Sequence, residues 1–202
     1  MGWAVLGGTT VKGRATTIES YLRTVAGIVS ELPVDLIDDI VQTIKRAYEE
    51  GKQVLLCGNG GSASTATHLA EDLQKGIGSL SSRRFRAMAL TDSAPLLTAW
   101  ANDTDYSRVF AEQVATWASP GDVLVAISGS GNSPNVLRAV ETANGIGVTT
   151  IGVTGMGGGA LAKIAQRSLI VPSDNMQQVE DVHLVLGHLI YTCLYEEISG
   201  CA

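Results

Sequence analysis

An α/β fold, with a doubly wound parallel sheet of five strands, is predicted for this 202-residue chain by three features. Short, nearly continuous apolar runs recur along the sequence, as in strands buried on both faces. Helical stretches lie between most of them, the alternation expected of βαβ units. Each run ends in a polar or glycine-rich cluster, at the strand end where ligands of open α/β sheets bind.

The elements follow in order. Residues 16–50 read as two helices separated at Pro33. The second carries apolar residues at three- and four-residue steps from Val34 to Ile44 and stops at Gly51. Five candidate strands follow: 53–57, 85–90, 123–127, 149–153 and 168–171. Helical stretches 63–76, 94–117, 134–145 and 160–166 lie between them. A long amphipathic segment, 177–198, closes the pattern and is apolar over much of its circumference, which marks a helix buried in the core or between subunits. No linker, low-complexity tract or repeat interrupts this order. Residues 1–14 are therefore expected to be an N-terminal arm and 15–202 one domain.

Composition excludes several function classes. With 14 basic and 20 acidic residues, a net charge of −6 argues against a nucleic-acid binder with a general basic footprint. No apolar run reaches the ~18 residues of a membrane span, and the apolar start lacks the basic residue of a signal peptide. Three scattered cysteines without a CxxC pair argue against a disulfide framework or a cysteine zinc site, and fit a reducing cytoplasm.

Two loops carry the chemistry. Gly58-Asn59-Gly60-Gly61-Ser62 joins a strand to a helix, where glycines let backbone N–H groups approach an anion. It also satisfies the loose dinucleotide pattern GxGxxA, but the ribose-binding acid expected ~20 residues on is missing, since Asp92 lies too far along. Ser128-Gly129-Ser130-Gly131-Asn132-Ser133 precedes a helix opening at Pro134. Ser133 is read as its N-cap. That leaves Ser128 and Ser130 unexplained unless hydroxyls and free N–H groups form a phosphate cradle. The cluster Gly155–Gly159 is read mainly as a turn.

Two helices supply titratable groups. His68 and Asp72, four residues apart, share one face and can hold a metal or transfer protons, whereas Glu71 points to solvent. The last helix carries Glu180, His183 and His188. A lone Glu-x-x-His pair does not make a di-iron site, which needs two such pairs.

In order and spacing, GNGGS at 58–62, His68, AND at 101–103, SGSGNSPNV at 128–136, TGMGGG at 154–159 and EDVHLVLGH at 180–188 resemble the sugar isomerase (SIS) domain family, of the phosphoheptose isomerase type, over about residues 20–198. The resemblance implies a single SIS domain with a five-stranded parallel sheet. It implies a homotetramer with active sites between subunits, and isomerisation of sedoheptulose 7-phosphate to D-glycero-D-manno-heptose 7-phosphate. The family's substrate contacts map to Asn59, Gly60, Gly61 and Ser62, and its phosphate loop to Ser128, Gly129, Ser130 and Ser133. Its zinc histidines map to His68 and His188. Four positions depart: Asp72 stands for the catalytic and zinc-binding glutamate, Glu180 for a glutamine ligand, Ser93 beside Asp92 for a substrate-contacting aspartate, and Gly129 for a threonine.

The expectation is an aldose–ketose isomerase in which Asp72 or Glu180 is the base, His188 moves protons between oxygens, and zinc is held by His68, Asp72, Glu180 and His188. Glu180 and His188 stand ~12 Å apart on an ideal helix. They can share a metal only if Glu180 precedes the regular helix or the two come from different subunits. Two alternatives stand beside this. One is a non-catalytic SIS protein binding sugar phosphates or a replication-initiator-type partner. The other is a dinucleotide oxidoreductase, which the missing ribose acid and the serine cradle oppose.

Overall fold

A computed structural model describes residues 9–80 and 83–200. The chain divides into two compact units, residues 1–32 and 33–202. The first holds helix α1 (Thr9–Ser30). The helix begins seven residues before the expected position, so residues 9–14 of the expected arm are helical; residues 1–8 lie outside the described residues. Thr17 and Thr24 turn their hydroxyls back onto the carbonyls of Gly13 and Ser20, and Glu19 pairs with Arg23 one turn on.

The second unit opens with α2 (Val34–Glu49), which buries Ile37, Ile40, Val41, Ile44, Ala47 and Tyr48 along one stripe. The chain continues through β1 (Gln53–Cys57), α3 (Gly61–Glu71), β2 (Arg86–Ala89), α4 (Ala94–Asp103) and α5 (Ala111–Trp117). Next come β3 (Val123–Ser128), α6 (Pro134–Ile146), β4 (Thr149–Thr154), α7 (Leu161–Ile164), β5 (Arg167–Ile170) and α8 (Met176–Ser199). Within the described residues no helix is long and apolar enough to cross a membrane.

All five strands are parallel, in the order β2-β1-β3-β4-β5. Leu55, Cys57, Leu124 and Ala126 face α5, α6 and α7, meeting Phe110, Val114, Val136, Ala139 and Val140. Their neighbours Val54, Leu56, Val125 and Ile127 point the other way by strand alternation and are equally buried. Helices α2, α3 and α8 pack on that side. The buried Asp122 carboxylate accepts from the backbone N–H groups of Gln53 and Ser119, both at 2.8 Å, and so ties the start of β1 to the turn before β3.

Two expected helices differ from the pattern. The stretch 94–117 breaks at Thr104, and Asp105 starts a short 3₁₀ turn (Tyr106–Arg108) by accepting from the Ser107 N–H at 2.7 Å. An aspartate that hydrogen-bonds its own backbone two residues on competes with helix continuation. The stretch 63–76 is α-helical only to Glu71; residues Asp72–Gly76 widen into a π turn. Such turns concentrate at functional sites.

The chain reverses its direction of travel across the sheet at β1 and β3, which are neighbours. The crevice at this switch point is where doubly wound sheets take ligands. It receives the Gly58–Ser62 loop from β1 and the Ser128–Ser133 loop from β3.

Candidate active site

The glycine loop turns at Gly60, whose φ of 56° and ψ of −123° belong to a region open to glycine. Helix α3 starts at the next residue. A β-carbon on Gly61 would lie 2.5 Å from the Glu180 carboxylate, so Glu180 rests directly on this backbone at the positive end of α3. The side-chain amide of Asn59 pairs with that of Asn135 on α6.

In the serine loop the expected cap is not made. Ser133 stands at the N-cap of α6 with extended backbone, but its hydroxyl makes no capping hydrogen bond. It lies 3.1 Å from the Ser128 hydroxyl instead. Asn135 takes over part of the capping, its Oδ1 accepting from the Val136 N–H at 3.0 Å. Ser130 accepts from the Asn132 N–H at 3.2 Å. Asn132 in turn accepts from the Ala160 N–H, anchoring the loop to the segment before α7. Asn59, Ser62, Ser128, Ser130, Ser133 and Glu180 line a cavity of about 200 Å³, with Gly129 and Met176 among its other walls. A β-carbon at Gly129 would meet the Met176 sulfur at 2.5 Å, so the thioether fills the space a larger residue would need.

The titratable cluster lies further along the same helices. Helix α8 runs beside α3: Glu180 lies on Gly61, His188 meets His68, and Tyr191 covers Gly76. His68 Nε2 stands 3.4 Å from His188 Nε2 and 3.7 Å from Asp72 Oδ2. Ligating atoms of all three lie within 4.8 Å of one another. The imidazoles are exposed and Asp72 is half-buried, so the group is open to a ligand.

Glu180 does not join this group. It lies inside the regular helix α8, eight residues and ~12 Å before His188, so one chain cannot bring both to one point. Asp92 and Ser93 also lie away from the serine cavity. Asp92 accepts from the Thr67 hydroxyl at 2.7 Å, beside His68 on α3, and Ser93 stands at the N-cap of α4. Glu71 is exposed, in a groove of about 540 Å³ with His68 and Thr91.

His183 and Cys57 stand apart from this chemistry. His183 is 2% exposed, and neither ring nitrogen has a hydrogen-bond partner. Burial pushes its pKa below the ordinary range, only partly offset by the adjacent Thr154 backbone. Cys57 is buried at the end of β1, where desolvation pushes its thiol up to about 12 and removes it as a nucleophile. Asn135 and Tyr106 are the site residues that the motifs did not single out. Asn135 sits within the Ser-Pro-Asn run, but nothing in the sequence shows that its amide faces Asn59.

The SIS domain pattern matches residues 20–155. Phosphoheptose isomerase of Clostridium acetobutylicum is 39% identical over 167 residues, covering 83% of this chain and 85% of that protein. Its counterpart from Aquifex aeolicus is 40% identical over 170 residues, covering 83% and 87%. The structure of a phosphoheptose isomerase from Francisella tularensis superposes with a TM-score of 0.85 at 30% identity, covering 94% of this chain and all of that one. The crevice between β1 and β3, with its glycine and serine loops and the polar seam of α3 and α8, thus lies in a chain that belongs to the SIS domain family, among the phosphoheptose isomerases.

Proposed function

We propose that this protein is a phosphoheptose isomerase converting sedoheptulose 7-phosphate to D-glycero-D-manno-heptose 7-phosphate through an enediolate. The observation that carries the reading is the layout of the α3–α8 seam. A hydroxyl-lined cavity sits at its start, and a His-Asp-His cluster lies about eight residues further along α8. At ~1.5 Å per residue the two are ~12 Å apart, a separation suited to a long phosphorylated sugar. Ser128, Ser130 and Ser133, with the open N-terminus of α6, hold the phosphate. The Gly60 and Gly61 backbone, with Asn59 and Ser62, lines the path of the carbon chain.

Asp72 takes the proton from the carbon beside the carbonyl through one carboxylate oxygen, the other being left to ligate, and His188, 3.4 Å from His68, passes protons between the two oxygens while its Nε2 is not bound to a metal. Glu180 is too far along the helix to share that step within one chain. It lies on the carbon-chain path instead.

The donor set of His68, Asp72 and His188 fits zinc: two imidazoles and a carboxylate, with room for substrate oxygens. When bound, the ion would polarise the sugar's carbonyl and neighbouring hydroxyl oxygens. In a homotetramer with sites between subunits, Glu180 of a second copy could complete the set. Leu184 and Leu189, both 36% exposed on α8, offer apolar surface for such packing. Three scattered cysteines without a CxxC pair suit a cytoplasmic setting.

The test is product NMR on a panel of five-, six- and seven-carbon sugar phosphates, with zinc added and with zinc chelated. Turnover of the seven-carbon ketose phosphate, lost on chelation, is expected. Turnover of shorter sugars alone, or of none, overturns the substrate reading, and undiminished turnover after chelation overturns the zinc assignment.

A further inference from the structure

We infer that Asn135 and Tyr106 are positioning residues which hold Asn59, and through it set the backbone of the Gly58–Ser62 loop against the ligand cavity. The inference rests on the isomerase reading for its kinetic consequence. Asn59 and Asn135 exchange a reciprocal pair of side-chain hydrogen bonds, each Nδ2 donating to the other's Oδ1 at 2.9 Å. The Tyr106 hydroxyl donates to Asn59 Oδ1 at 3.0 Å. Asn135 Oδ1 also accepts from the Val136 N–H.

One outer donor fixes the orientation of both amides. The Val136 N–H needs an oxygen where it points, which fixes the Asn135 amide, and turning Asn59 over against it would set oxygen against oxygen. Asn135 is 2% exposed, so a lost partner there would not be replaced by bulk water. The network is thus a rigid clasp between the loops that follow β1 and β3.

Its position gives it leverage on the ligand. Asn59 directly precedes Gly60, the turn that aims the first N–H groups of α3. It also lines the serine-loop cavity, so its amide is a wall fixed from behind. Tyr106 is 55% exposed but well held. Asp105 starts its turn by accepting from the Ser107 N–H, and Arg138 of α6 donates to the Ser107 hydroxyl at 2.7 Å. The break in the stretch 94–117 thereby brings a phenol to the back of the glycine loop.

The experiment compares wild type, Tyr106→Phe, Asn135→Ala and the double variant. Tyr106→Phe removes one exposed hydroxyl and leaves the fold intact even if Asn135→Ala does not fold. Amide exchange across residues 58–64 should quicken at least about threefold in Tyr106→Phe at unchanged melting temperature, because the loop's local opening becomes easier. With sedoheptulose 7-phosphate, kcat should fall roughly tenfold with little change in KM, as for misplaced reacting groups. Both residues act through Asn59, so the double variant should be about as slow as Asn135→Ala alone. Unchanged loop exchange, unchanged kcat in Tyr106→Phe, or losses that multiply in the double variant would each overturn the inference. If wild type turns over no sugar phosphate, the isomerase reading fails separately. Loop exchange across residues 58–64 then decides the positioning role by itself, and equal exchange in wild type and Tyr106→Phe would overturn it.

Discussion

Ser133 shows how one side chain separates a fold role from a ligand role. Its backbone caps α6 while its hydroxyl turns to Ser128 and the cavity. Ser133→Ala should therefore cost little stability but weaken a phosphorylated ligand by about 1–3 kcal/mol, as for a lost bond to a charged group. Calorimetric titration beside thermal melting checks both halves, and equal binding of an unphosphorylated heptose would sink the cradle. His183 poses the opposite case, a titratable group shut inside the molecule. Its folded pKa lies below the unfolded value of ~6.5, so the unfolded chain binds the proton more readily. Its contribution to stability is full above that value and is lost as pH falls through the depressed folded value. Urea unfolding between about pH 7.5 and 5 should show this decline, flattened in His183→Leu; an identical slope in the variant would remove His183 as its source.

At the scale of elements, buried partners decide what local pattern leaves open. The run Gln53–Cys57 forms β1 with the expected bounds because a short apolar run between Gly51 and Gly58 is too brief for a helix and suits a strand covered on both faces. Thr104 and the π turn escaped the same reasoning. Apolar spacing continues across 94–117 and 63–76; the first break comes from Asp105 on the Ser107 N–H, and the second ends at Gly76, over which Tyr191 packs. Asp122 is an element-level clasp of the same kind, joining the start of β1 to the turn before β3. Asp122→Ala strands two backbone donors in a buried place and should cost about 1–3 kcal/mol. Denaturant midpoints with unchanged m-values would check this, and an unchanged midpoint in Asp122→Ala would contradict it.

For the whole molecule, the proposed tetramer has a direct consequence. If a second subunit's Glu180 completes the cluster, mixing inactive Glu180→Ala and His188→Ala proteins should restore part of the activity; strictly inactive mixtures, or sedimentation as monomer at micromolar concentration, would contradict a shared site. Asp72→Ala should abolish turnover in every mixture position where its own cluster is used, and an active Asp72→Ala protein would take Asp72 out of the proton transfer. The sequence by itself determined the parallel α/β architecture, the placing of the two loops at strand ends and the pairing of His68 with Asp72. These follow from continuous apolar runs, a 3.6-residue helical period and i,i+4 geometry, which act over short stretches of chain. Only the tertiary structure decided that His188 reaches His68, that Glu180 lies on Gly61 instead, and that Asn135 and Tyr106 clasp Asn59. Those contacts join residues 47 to 120 positions apart, and which side chains meet depends on how neighbouring strands and helices pack, a choice that no local pattern encodes.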